Sequence, residues 1–124
     1  MWLLDPLRRG RAIEEILART EYKGWYHYGA ENNGFRERFD FLKGNTMVSL
    51  KSVDTASTGW LYDMKGVVND LSLEAKLGTK VDGVVINPVL DIRVAPGQLE
   101  DGNLDWLIEY GKNNGVTVTV KEFH

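Results

Sequence analysis

Cysteine is absent from the 124-residue chain. That excludes disulfides and any metal site built on thiolates. Histidine is scarce, with only His27 and His124. Neither a histidine metal centre nor a ribonuclease mechanism using two histidines finds support in so small a set. No apolar run approaches the roughly 18–20 residues that span a bilayer. The opening MWLLDPLRRG is too short for a signal peptide and carries its charge on the wrong side. A soluble chain is therefore expected. A P-loop, a dinucleotide fingerprint and a nucleophile elbow are all missing. With no internal repeat and no linker long enough to divide it, the chain reads as one domain over residues 1–124.

What is present is an ordinary globular balance, 43% hydrophobic and 27% charged. The net charge of −3 runs against a nucleic-acid partner, because phosphate contacts need a cationic surface. A local basic patch can meet that need on an acidic chain.

The pattern of elements is α/β. Asp5-Pro6 reads as an N-cap with proline in the first turn, and Ile13, Ile16 and Leu17 follow at helical spacing. The aromatic, glycine-rich YKGWYHYG suits either a first strand or a loop. Its Trp25, Tyr26, His27 and Tyr28 serve either as core or as a stacking platform for bases. FRERFDFLK and TMVSLKSV alternate in strand fashion about Gly44-Asn45, a two-residue hairpin signal. A helix is expected from about Gly59 to Leu77, capped by Gly78. VDGVVINP reads as a buried strand closed by Pro88, and LDIRVAPGQLEDG as an irregular connection. A helix near Asn103 to Asn113, ended by Gly115, and a last strand VTVTV complete the order α-β-β-β-α-β-α-β.

A two-residue turn forces the hairpin register. Lys43 falls opposite Thr46, Phe41 opposite Val48, Asp40 opposite Ser49, and Arg38 opposite Lys51. Strand alternation then puts Phe39, Phe41, Val48 and Leu50 on one face. Arg38, Asp40, Ser49 and Lys51 share the other, although a plain solvent-facing hairpin shows the same pattern. On the first helix Glu14 lies about 100° from Ile13 and Glu15 about 200°, so Glu14 sits at the stripe's edge and Glu15 faces solvent. Glu14 is thus either a rim charge or a group turned towards the sheet. Asp54 either caps the following turn or orients Lys51. Arg36 and Arg38 are either solvated strand charges or phosphate contacts.

Taken in order, RGRAIEEILA, GFRERFDF and MVSLKSVD resemble the restriction-endonuclease-like PD-(D/E)xK nuclease superfamily. The similarity is closer to its bacterial polymorphic-toxin branch, which includes the C-terminal toxin domains of contact-dependent growth inhibition proteins. It covers Arg9 to Leu77 well and the remaining tail more loosely. The most specific piece is SLKSVD placed one short hairpin after FD, with a G-x-x-x-E helix upstream.

The resemblance implies a central mixed sheet flanked by helices and a metal-dependent endonuclease. Asp40 matches the family's metal-binding aspartate, Lys51 its catalytic lysine, and Glu14 the helix glutamate that contacts the metal directly or through water. The backbone carbonyl of Leu50 is a further ligand. Ser49 stands where the second acid belongs. A hydroxyl there binds weakly or holds a ligated water, which leaves metal identity and affinity open. Some toxin members carry this serine, so the change does not by itself mean a dead enzyme. Carboxylate and carbonyl donors suit Mg²⁺ or Mn²⁺, with Zn²⁺ a further option. DNA is the expected substrate and tRNA the alternative. The resemblance also implies delivery within a larger effector, action in the target-cell cytoplasm, and a cognate immunity protein. The rival from another class is a non-catalytic interaction domain with a nuclease-like fold.

Overall fold

The computed structural model describes residues 1–28 and 39–124. Arg36 and Arg38 lie outside the described residues.

Helix α1 spans Pro6–Arg19, and Asp5 caps it by accepting a hydrogen bond from the Arg8 amide. Its inner face repeats every four residues as Arg9, Ile13 and Leu17. Two short strands follow, β1 (Tyr26–His27) and β2 (Phe41–Lys43), then the long β3 (Thr46–Val53). Gly44, at φ +61°, makes the turn between β2 and β3. Phe41 pairs with Val48 and Lys43 with Thr46, as the two-residue turn predicts.

Helix α2 (Trp60–Lys76) leads to a separate hairpin of β4 (Lys80–Val81) and β5 (Val84–Val85). Strand β6 (Asn87–Val94), helix α3 (Gly102–Asn113) and strand β7 (Thr117–Glu122) complete the chain. The main sheet has the order β1-β2-β3-β6-β7, antiparallel up to β3 and parallel from there on. Both parallel crossovers step the same way across the sheet, so a common hand places α2 and α3 on one face. Alternate residues of each strand divide between two cores. Met47, Val53, Leu90, Ile92, Val94 and Val118 join α2 and α3 on one side. Phe41, Val48 and Leu50 join Ile13 and Leu17 of α1 on the other. The result is a mixed sheet flanked by helices on both faces.

Three expectations are corrected. The segment read as a connection contains β6, an interior strand between β3 and β7, while VDGVV forms the exposed hairpin around Asp82-Gly83. Pro88 does not close a strand. The Asn87 amide is directed to Asn45 at 2.8 Å, so residue 88 faces the other neighbour, and β7 begins pairing only at Val89. The missing amide of Pro88 therefore costs no ladder bond. Finally, Phe39 packs in the α2–α3 core and Phe41 in the α1 core. Regular pairing with β3 begins only at Phe41, so strand alternation does not extend back to residue 39.

Candidate active site

Where β2 stops pairing, β3 continues, and Asp40 stands at the point of divergence. Its own amide still reaches the Val48 carbonyl at 2.7 Å, while its Oδ2 accepts the Leu50 amide at 2.6 Å. Amide and carbonyl of one strand residue point to the same side. The Leu50 carbonyl is therefore directed to the side where Asp40 lies. Across from this edge runs α1, whose Pro6, Leu7, Gly10, Arg11 and Glu14 form one wall of a cleft of about 260 Å³. Asp40, Leu50, Lys51 and Ser52 form the other wall.

Two carboxyls meet here. Burial, and then the Glu14 carboxyl within hydrogen-bonding range, push the Asp40 carboxyl up to about 8. The Leu50 amide and the Lys51 charge act in the opposite direction but do not prevail. A site that holds two acids this close gains from a cation, because a positive charge removes their mutual repulsion. The donors are oxygens, which suits a hard divalent ion that keeps several waters. Among the described residues no group of three or more His, Cys, Asp or Glu side chains is arranged to hold a metal ion. Glu14, Asp40 and the Leu50 carbonyl are the groups able to ligate one.

Glu14, Asp40, Leu50 and Lys51 are thus brought together. Ser49 is not. It is 1% exposed, lies on the strand face of Met47 and Val53 by alternation, and its hydroxyl has no hydrogen-bond partner among the described residues. Asp54 accepts from the Ala56 amide at 2.9 Å and the Gln98 amide group at 2.8 Å, which organises the turn before α2. Tyr28 is core and Trp25 packs against the α1-side core, whereas Tyr26 is exposed.

Sequence reasoning missed three neighbours of the site. His27 lies with its Nε2 3.0 Å from Glu14 Oε2. Arg11 lines the cleft one turn before Glu14. Arg9 takes the apolar stripe position before Ile13 and is 7% exposed, its guanidinium over the Trp2 ring and its Nε 3.0 Å from Ser52 Oγ. The four-residue spacing of Arg9, Ile13 and Leu17 was the available signal for that burial. A larger cleft of about 430 Å³ lies between α3 and β7, but it carries no carboxylate.

Beside the α1-side core, β6 holds a second charged cluster. Arg93 Nε donates to Asp91 Oδ1 at 2.8 Å, and its other nitrogens reach Glu21 at 2.6 and 3.0 Å. The Tyr22 hydroxyl donates to Asp91. Burial and then that carboxylate hold the Tyr22 hydroxyl well above the usual phenol range. With Lys121 Nζ also 3.4 Å from Glu21, two cations meet two carboxylates, so the cluster reads as an anchor for the turn after α1.

These features define an α/β domain with a carboxylate pair and a lysine at the diverging edge of its sheet. No protein-family model and no curated protein matches the chain. Among solved structures it is similar to a chain of the CdiA-CT/CdiI toxin and immunity complex from Yersinia pseudotuberculosis. The TM-score is 0.63 at 20% identity, over 90% of this chain and 98% of that one. At that identity the likeness shows a shared fold.

Proposed function

We propose that this chain is a toxin nuclease of restriction-endonuclease-like type, hydrolysing phosphodiester bonds of DNA with a divalent metal ion. The observation that carries the reading is the convergence of Glu14, Asp40, the Leu50 backbone and Lys51 on one cleft. Glu14, Asp40 and the Leu50 carbonyl would hold Mg²⁺ or Mn²⁺, with Zn²⁺ the alternative. When bound, the ion supplies a hydroxide at neutral pH and Lewis-acid relief of charge on the phosphate. Lys51, beside Asp40, stabilises negative charge at the transition state, as fixed cations do in a partly buried site. Ser49 is left out of the liganding set because its hydroxyl is enclosed.

The fold shared with one chain of a toxin and immunity complex supports the toxin role. Of the two partners in such a complex, the acid pair beside a lysine favours the toxin. The corresponding proposals are delivery into a target cell as part of a larger effector and a cognate immunity protein that neutralises the activity. A basic contribution from Arg36 and Arg38 to nucleic-acid binding remains part of the proposal, as does tRNA as the alternative substrate.

One observation favours a second reading. With Ser49 enclosed, the site has only two acids among the described residues, which suits a non-catalytic interaction domain on the same fold. Plasmid DNA and total bacterial tRNA, each incubated with EDTA, Mg²⁺, Mn²⁺ or Zn²⁺, decide between them. Metal-dependent cutting of one substrate, lost in Asp40→Ala and Lys51→Ala, is the expected result. Intact DNA and tRNA under every metal would sink the nuclease and leave the interaction domain.

A further inference from the structure

Glu14 stands at a helix edge where a glutamate ordinarily moves freely in solvent, yet its side chain is only 24% exposed and is held from one side. The Nε2 of His27 lies 3.0 Å from its Oε2. A carboxylate oxygen only accepts, so the nitrogen that meets it is the protonated one. The imidazole has little freedom to follow Glu14 elsewhere. Its ring stacks on Phe41 with centroids 4.8 Å apart and planes inclined by 24°. Phe41 is fully buried and also carries the Tyr22 ring, at 4.3 Å and 9°. Tyr22 in turn is tied through its hydroxyl to Asp91, which Arg93 holds. A row of three rings, anchored in a buried ion pair, therefore backs the hydrogen bond that His27 makes to Glu14.

We infer that His27 is a positioning residue for the acid pair: its Nε2–H grips one oxygen of Glu14 and aims the carboxyl at Asp40 and the cleft. This inference rests on the metal-site reading above. His27 is not itself a ligand, because its reaching nitrogen is already engaged by Glu14. Hydrogen bonds of this kind to ligating carboxylates set ligand orientation, and losing one typically costs about 10–100-fold in metal affinity or activity. A purely structural His27 would act through its stacking on Phe41 alone.

The two roles separate in a pair of substitutions. His27→Phe keeps an aromatic ring for Phe41 but has no donor, whereas His27→Gln gives up the ring and keeps a donor at similar reach. Mn²⁺ binding is measured by calorimetry for both, beside the parent protein and Asp40→Ala, together with each melting temperature. The expected outcome is a Kd raised about 10–100-fold in His27→Phe at an almost unchanged melting temperature, with most of the affinity recovered in His27→Gln. Parent-like Mn²⁺ affinity in His27→Phe, or a His27→Gln variant as weak as His27→Phe, overturns the inference alone. A parent protein that binds no Mn²⁺ brings down the metal-site reading as well. Should His27→Phe fail to fold, the imidazole ¹⁵N spectrum of the metal-free parent decides. A protonated Nε2 supports the hydrogen bond and a bare Nε2 overturns it.

Discussion

The Leu50 amide donates to Asp40 Oδ2 at 2.6 Å, two residues beyond the last pair that β2 makes with β3. A carboxylate thus takes the place of a strand partner. That relationship fixes Asp40 at the sheet's open edge and directs the Leu50 carbonyl to the same side. It also means that Asp40 has both a structural bond and a proposed catalytic role, which its variants can separate.

Asp40→Asn keeps an acceptor for the Leu50 amide and removes the buried charge. Cleavage is expected to fall at least about 100-fold, in line with loss of a positioned metal-binding or acid–base group. The melting temperature at about pH 8 should be no lower than that of the parent protein, because the ionised form of Asp40 is the disfavoured one. A variant that loses activity only by unfolding would contradict this.

The pH dependence of stability follows with a definite sign. The Asp40 pKa is raised from 3.8 to about 8 by burial and by Glu14, so the folded state resists its ionisation. Its favourable contribution is complete below 3.8 and is lost as pH rises towards and through 8. A divalent ion favours the ionised pair. Mn²⁺ should therefore raise the melting temperature more at about pH 8 than at about pH 5. Equal shifts at both pH values would count against the acid pair as the binding site.

At the acid end Glu21 contributes with the opposite sign. Its hydrogen bond from Arg93 lowers its pKa from 4.5 to about 2, against opposing burial. That stabilisation is present above 4.5 and disappears as pH falls through 2. Glu21 is 44% exposed on its side chain, so solvent screening keeps the effect small. The deeper pair matters more. Arg93→Met leaves the buried Asp91 without its cation and is expected to cost about 3–5 kcal/mol, much of it recovered by adding Asp91→Leu. Urea unfolding of the single and double variants measures both steps.

Ser49→Ala discriminates between the family expectation and the observed burial. Its hydroxyl is enclosed and unpaired among the described residues, so removal should stabilise the fold by up to about 1–2 kcal/mol and leave Mn²⁺ affinity unchanged. Loss of metal binding in Ser49→Ala would return serine to the site.

Two glycines give opposite outcomes with alanine. A Cβ on Gly111 would meet Val118 Cγ2 at 2.4 Å and the Val116 carbonyl at 2.8 Å, so α3 would be pushed from β7. Gly111→Ala should destabilise by about 1–3 kcal/mol. Gly66, exposed within α2, has open space around it, and Gly66→Ala should add about 1 kcal/mol. Thermal melts of the two variants test the packing of α3 on the sheet.

Much of the site was legible because its signals are local. Gly44-Asn45 sets the register of the hairpin, and helical periodicity puts Ile13 inward, Glu14 at the edge and Glu15 out. What escaped was set by distant partners. Asp91 and Arg93 interrupt an apolar run and suggest a loop until Glu21 and Tyr22 are seen to complete their hydrogen bonds. His27 is one aromatic among four until β1 pairs with β2 and places it opposite Phe41.

The sequence by itself determined the helices, the hairpin and the types of group from which the proposed metal site is built. Spacing and turn chemistry act over a few residues, so no folding is needed to read them. Only the tertiary structure decided that Glu14 faces Asp40, that Lys51 reaches the cleft while Ser49 does not, and that His27 stands behind Glu14. Those outcomes depend on where β2 stops pairing and how α1 lies across the sheet, which is a balance of packing between residues far apart in the chain.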